Sequence, residues 1–192
     1  MNDQSGNPPP PIPLAAWRAA HLVERLARLM RTADFEAGMN PAQWEALRYL
    51  ARANRFSRTP SALAEFLNSS RGTVSQTLIA LETKGLVEKS RSEKDARSLS
   101  LVLTAAGREM LDRDAGRAFA GAIADTGAAA SMSAAIEATL RHALLRRGGK
   151  LFGACKTCRH FRRGAEAHHC ALLDEPLTAQ DAEAICVEMD AA

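Results

Sequence analysis

Between residues 40 and 104, signals that start and stop helices follow one another closely and end in a strict two-residue alternation. Few folds accept that order. A helix opens at Asn40-Pro41-Ala42-Gln43, where Asn40 can cap, Pro41 suits the first turn and Gln43 completes a capping box. Trp44, Leu47 and Leu50 line its buried side. A short third helix starts at Thr59-Pro60 and turns Leu63, Phe66 and Leu67 inward, and a tight turn follows at Asn68-Ser69-Ser70. The fourth helix, up to residue 84, carries Val74, Leu78 and Leu81 at i, i+4 and i+7, and Gly85 ends it. In residues 98–104, Leu99, Leu101 and Leu103 alternate with Ser98, Ser100 and Val102. This is a half-buried strand, and with residues 86–90 it predicts a two-stranded antiparallel hairpin with a polar tip.

Helices flank this unit on both sides. Leu14, Trp17, Leu22, Leu26, Leu29 and Met30 recur at helical spacing over residues 14–35. Thr104 caps a fifth helix up to residue 124, and a sixth spans 133–146 with Ile136, Leu140, Ala143 and Leu144 on one side. Gly148-Gly149 end it. Residues 1–13, rich in proline, are expected to be disordered. A chain of 192 residues with 46% apolar content has room for one ordinary domain and a small appendage. No apolar run approaches a membrane span and nothing resembles an export signal, so a cytoplasmic location without a membrane partner is expected.

Helix, turn, helix and hairpin in this order is a winged helix-turn-helix, a mainly α fold with a small β-hairpin wing. The domains follow as a Pro-rich N-terminus (1–13), a winged helix-turn-helix with its flanking helices (14–147) and a Cys-rich tail (150–192). A net charge of +3 permits nucleic-acid binding without arguing for it, because the position of the charges decides. Thr73, Gln76 and Thr77 lie on the exposed side of the fourth helix as hydrogen bonders for base edges and phosphates. Ser69, Ser70 and Arg71 sit at its N-terminus, where free N–H groups and the helix dipole favour a phosphate. In the wing tip, Arg91, Lys94 and Arg97 supply cations, with Arg97 directed into a minor groove and Asp95 anchoring the loop. Taken singly, each of these features is ordinary solvated surface. Their order gives them meaning. Trp17 and Trp44 read as core or dimer packing, and His21 and His142 as interface or surface positions.

These residues carry a resemblance. Leu63-Ala64-Glu65-Phe66-Leu67, Ser70-Arg71-Gly72-Thr73-Val74-Ser75 and Leu81-Glu82-Thr83-Lys84-Gly85-Leu86-Val87 resemble the helix-turn-helix of the MarR-type regulators. Asp95-Ala96-Arg97-Ser98 and Leu101-Val102-Leu103-Thr104-Ala105-Ala106-Gly107 resemble that family's wing. The resemblance spans roughly residues 14–147. It implies an obligate homodimer, with a helical dimerisation region formed by the first, fifth and sixth helices, on a pseudo-palindromic operator in double-stranded DNA. It also implies repression until a small-molecule effector binds, and places Asp95 and Arg97 on the family's wing pair.

All four cysteines lie beyond that region: Cys155, Cys158, Cys170 and Cys186. In reducing cytosol such clusters are more often metal ligands or redox thiols than disulfides. Four thiolates suffice for zinc or for an iron–sulfur cluster. One CxxC pair followed by two single cysteines resembles the ligand spacing of the iron–sulfur uracil-DNA glycosylases and favours a cluster. His160, His168 and His169 keep zinc with mixed ligands open, and a metal-free thiol switch is a third reading. Thr178 can cap a short helix that returns Cys186 to the site, with Phe152 and Phe161 as an apolar shell. A tail that continues from the sixth helix would transmit its state through dimer geometry.

The rival class is an iron–sulfur DNA-processing enzyme. The sequence shows no Gly-rich phosphate loop and no nucleophile with a positioned base, so a non-enzyme is expected. A second rival is a regulator answering to a small aromatic acid, with an inert zinc tail.

Overall fold

In a computed structural model, the described residues are 11–33, 35, 38–91, 99–165 and 167–191. The head follows its local signals. Helix α1 (Leu14–Ala33) leads to α2 (Pro41–Arg52), α3 (Pro60–Phe66) and α4 (Arg71–Thr83). Asn40 accepts from the Gln43 N–H at 2.9 Å while Gln43 Oε1 accepts from the Asn40 N–H at 3.2 Å, closing the capping box. Thr59 and Ser70 cap α3 and α4 through their hydroxyls alone, each accepting a 3.1 Å bond from the N–H three residues on. Gly85 leaves α4 at φ +68°, where a side chain is strained.

The wing is β1 (Val87–Arg91) against β2 (Leu99–Leu103), antiparallel, in register from Val87↔Leu103 to Arg91↔Leu99. Trp44, Leu47, Tyr49, Leu63, Val74, Leu78, Leu81, Val87 and Leu101 form the buried core beneath it. The expected alternation holds for Leu101 and Leu103, but Leu99 is 45% exposed. Leu99 lies at the outer end of the hairpin pairing, past the edge of the core.

Two helix expectations are corrected. The fifth helix is broken into α5 (Ala105–Leu111) and α6 (Gly116–Asp125). Asp114 sits in the break, accepting from the Gly116 N–H at 2.8 Å and from Arg48 Nε of α2 at 2.9 and 3.1 Å. The sixth helix starts earlier than residue 133, as α7 (Ala129–Arg146). Neither α6 nor α7 buries a residue, and Trp17, Leu22, Val23 and Leu29 of α1 and Ile136, Leu140 and Leu145 of α7 are exposed. Among the described residues no helix is long and apolar enough to cross a membrane.

The cysteine tail folds as β3 (Gly153–Ala154), β4 (Phe161–Arg162), β5 (His168–Cys170), β6 (Glu175–Leu177), α8 (Ala179–Glu183) and β7 (Ile185–Cys186). β3 pairs with β7, and β4, β5 and β6 form a second small antiparallel sheet. Thr178 and Asp181 form the capping box of α8. The tail does not merely trail from α7. It packs back on the connection between α2 and α3, where Ala53 bridges Ile185 and Val187 enters the head's core. Phe152 meets Phe66 edge-on, with ring centroids 5.2 Å apart, so it belongs to the head rather than to a shell around the cysteines.

Candidate nucleic-acid interface and cysteine centre

Burying Val74, Leu78 and Leu81 turns the opposite side of α4 outward. Arg71, Thr73 and Gln76 are exposed there, Thr77 is half-buried, and Ser70 is exposed at the N-cap. Ser70 Oγ lies 2.9 Å from Thr73 Oγ1, and the Thr77 hydroxyl donates to the Thr73 carbonyl at 3.1 Å. Both threonine hydroxyls are thus partly engaged locally, which leaves Arg71 and Gln76 as the long polar side chains of this surface. Ser69, half-buried, donates its N–H to the Ala64 carbonyl and closes the turn behind Asn68, whose φ of 48° suits asparagine. Lys89 of β1 pairs with Glu82 of α4 and ties the wing to this helix. Arg91 ends β1. Lys94, Asp95 and Arg97 lie outside the described residues.

The tail brings three of its cysteines into one apolar cluster. Cys155, Cys170 and Cys186 are buried in one cluster with Leu177, flanked by Phe56, Phe161, Leu173 and Met189. Cys155 opens a short 3₁₀ turn that curls back on itself, the Cys158 N–H donating to the Cys155 carbonyl. Cys158 is half-buried, and its sulfur accepts from the Asp190 N–H at 3.4 Å. All four are free thiols. Among the described residues, no group of three or more His, Cys, Asp or Glu is arranged to hold a metal ion.

Cys155 and Cys186 share a hydrogen bond that divides their acidity. That bond, with burial and the neighbouring Cys186 charge, pushes the Cys155 thiol up. The same bond, helped by Asn54, the Glu188 N–H and Ser57 against opposing burial, lowers Cys186 to about 6. Three tail histidines have other neighbours. His169 lies 3.2 Å from Asp174 and His160 3.6 Å from Asp190, while His168 packs against Phe161 with its Nδ1 buried and unpartnered.

Sequence reading missed the head residues that reach this centre. Asn54 Nδ2 donates to Cys155 Sγ at 3.2 Å, and the Val187 N–H donates to Ser57 Oγ at 2.8 Å. Arg55 clamps the outside, pairing with Asp181 and the Pro176 carbonyl. No local signal marks their links to the tail, because those partners lie more than 100 positions away in the chain.

A sequence profile of the MarR family matches residues 37–98. A comparison with curated proteins finds no match. Among solved structures, a MarR transcriptional regulator from Methanosarcina mazei Go1 is 19% identical with a TM-score of 0.54, over 67% of this chain and 97% of its own. NadR in complex with 4-hydroxyphenylacetate is 22% identical with a TM-score of 0.57, over 74% and 98%. The S. aureus MepR–DNA complex is 20% identical with a TM-score of 0.50, over 66% and 96%. At such identities the likeness speaks to the fold. Residues 37–98 carry a MarR-family segment, and the chain around them has the fold of the MarR-type winged-helix proteins.

Proposed function

We propose that this protein is a non-catalytic transcriptional regulator, a homodimeric repressor that binds a pseudo-palindromic operator. The observation that carries the reading is the exposed surface of α4, with Arg71 and Gln76 outward and the wing strapped beside it by Lys89 and Glu82. Such a helix suits the major groove, with the wing reaching the flanking backbone. Ser69, Ser70, Thr73 and Thr77 complete the α4 contribution, and Arg91, Lys94 and Arg97 the wing's, with Asp95 positioning the wing. A relative in fold, MepR, has been solved with DNA, which supports the same reading. The exposed apolar residues of α1 and α7 support a second copy as partner, since so many large apolar side chains along two helices are normally covered.

Two substitutions test the DNA reading. Arg71→Ala should weaken duplex binding at all sequences and reduce the salt slope by about one counterion. Gln76→Ala should instead relax sequence preference by about 1–3 kcal/mol at one base pair, with non-specific affinity kept. Fluorescence anisotropy on matched and mismatched duplexes across a salt series separates the two. Equal preference in wild type and Gln76→Ala would remove Gln76 from base reading.

The tail's four thiols are proposed to hold an iron–sulfur cluster or zinc through Cys155, Cys158, Cys170 and Cys186. Three of the cysteines lie in one buried apolar cluster, and N–H donors aimed at Cys155 and Cys158 are the kind of bond that stabilises thiolate ligands. In this role the metal would staple a segment with little core of its own and report redox or metal state. Protein prepared without oxygen should contain either iron with a visible thiolate absorption or one equivalent of zinc. A colourless, metal-free preparation would contradict this.

A second reading has its own support. A cavity of about 660 Å³ lies between α7 and the tail, lined in part by Leu140, Arg141, Leu144, Phe152 and Met189. NadR, similar in fold, has been solved with 4-hydroxyphenylacetate. On this reading a small aromatic effector acts and a zinc tail only stabilises. Operator release by an aromatic acid but not by chelator or oxidant would favour it.

A further inference from the structure

Residues 53–58, between α2 and α3, stand where three parts of the molecule meet. The Asn54 N–H donates to the Ile185 carbonyl at 2.9 Å, which ties the segment to the tail. The Leu101 N–H of the wing donates to the Arg58 carbonyl at 2.7 Å, and the Tyr49 hydroxyl of α2 donates to the Ser57 carbonyl at 2.7 Å. At the centre of the segment, Asn54 and Ser57 are polar and essentially inaccessible, at 1% and 0% exposure. A buried amide needs a partner for each end. Asn54 Oδ1 accepts from the N–H groups of Phe56 and Ser57, at 3.1 and 2.9 Å, and from Ser57 Oγ at 2.7 Å. Two of those donors are backbone, so they identify the oxygen end and leave the amide nitrogen directed at Cys155 Sγ, 3.2 Å away. The two ends have separate tasks. The oxygen holds the turn, and the nitrogen reaches a sulfur of another part of the chain.

We propose that the four-cysteine centre is a composite site to which the winged-helix head contributes Asn54, a positioning residue that donates to the Cys155 sulfur. Through residues 53–58 the loading of the centre and the DNA affinity of the head are then linked. This rests on the tail holding a metal, as argued above. The route differs from one through the dimerisation helix. The segment that touches the sulfurs also holds the wing strand and leads into Thr59, the cap of α3. Linkage is reciprocal, so a duplex that favours one arrangement of this segment alters metal affinity by the factor with which the metal alters duplex affinity.

Asn54→Asp separates the two tasks, because it keeps the oxygen that holds the turn and removes the donor. The experiment uses the full chain without oxygen, titrated with Co²⁺ alone and, in parallel, reconstituted with iron and sulfide. Wild type should load with a thiolate-to-metal absorption. Asn54→Asp should load about 10–100-fold more weakly, with that absorption shifted in wavelength. Ser57→Ala, which adds no charge, should also load more weakly and gives a second readout should Asn54→Asp fail to fold. Adding a bound duplex should change the Co²⁺ affinity of wild type by a factor within about 5–150-fold, and by less in the variants. Wild type that loads while both variants match it in affinity and spectrum overturns the composite site alone. Wild type that takes up neither Co²⁺ nor iron overturns the metal reading beneath it.

Discussion

Asp114→Asn is expected to destabilise the protein by about 3 kcal/mol at neutral pH. The substitution keeps shape and one acceptor but removes the charge that faces Arg48, whose side chain is only 15% exposed against 12% for Asp114. Arg48, largely buried and 5.5 Å from the Trp44 ring centroid, would lose the carboxylate charge it faces. The pH dependence follows from the carboxyl's surroundings. Burial raises its pKa, but the Arg48 hydrogen bond, the Gly116 N–H and the Arg48 and Arg52 charges outweigh burial, so Asp114 lies below its ordinary value. A carboxylate with a depressed folded pKa contributes stability above its unfolded value and loses it as pH falls toward the folded one. The gap between wild type and Asp114→Asn in urea denaturation should therefore be full at pH 7 and shrink below about pH 4. A gap of the same size at both would show that the ion pair is not its source. The effect reaches beyond stability, because this pair joins α2 of the head to the break between α5 and α6.

Gly107→Val should cost about 3 kcal/mol or more, a drop of roughly 10 °C in melting temperature. A Cβ on Gly107 would stand 2.1 Å from the Leu86 carbonyl oxygen and 3.3 Å from Leu103 Cδ2. That carbonyl cannot easily move, since it accepts the Thr104 N–H, while the Thr104 hydroxyl donates to the Gly85 carbonyl at 2.7 Å. The first turn of α5 is thus seated directly on the start of the wing. A melting curve of Gly107→Val that overlays the wild type would mean that this contact is looser than the structure describes.

Much of the head was legible because its signals are short. Asn40, Thr59, Ser70, Thr104 and Thr178 each cap a helix through a bond to a residue three positions on, so a local reading finds them. The inward side of α4 follows for the same reason, since Val74, Leu78 and Leu81 need only helical spacing to share one side. What escaped depends on distant partners. The break at Asp114 is held by Arg48, 66 positions away, and an unbroken helical pattern cannot foresee it. Asn54 reads as an unremarkable residue after α2 until the chain brings Cys155 to it from 101 positions further on. Leu99 kept its alternation but not its burial, because alternation states which side a residue takes and not how far the core extends. The cysteines could be grouped by count, yet their docking against the α2–α3 connection is a tertiary fact.

Selection of a randomised duplex library by the full-length protein tests the central claim most directly. A groove-reading head presented twice by a homodimer predicts enrichment of one pseudo-palindrome, its half-sites about 10–10.5 base pairs apart or a multiple of that. Gln76→Ala should blur one position within each half-site. A library that emerges with the composition it entered with, from protein that heparin displaces equally well from every duplex, would contradict the account.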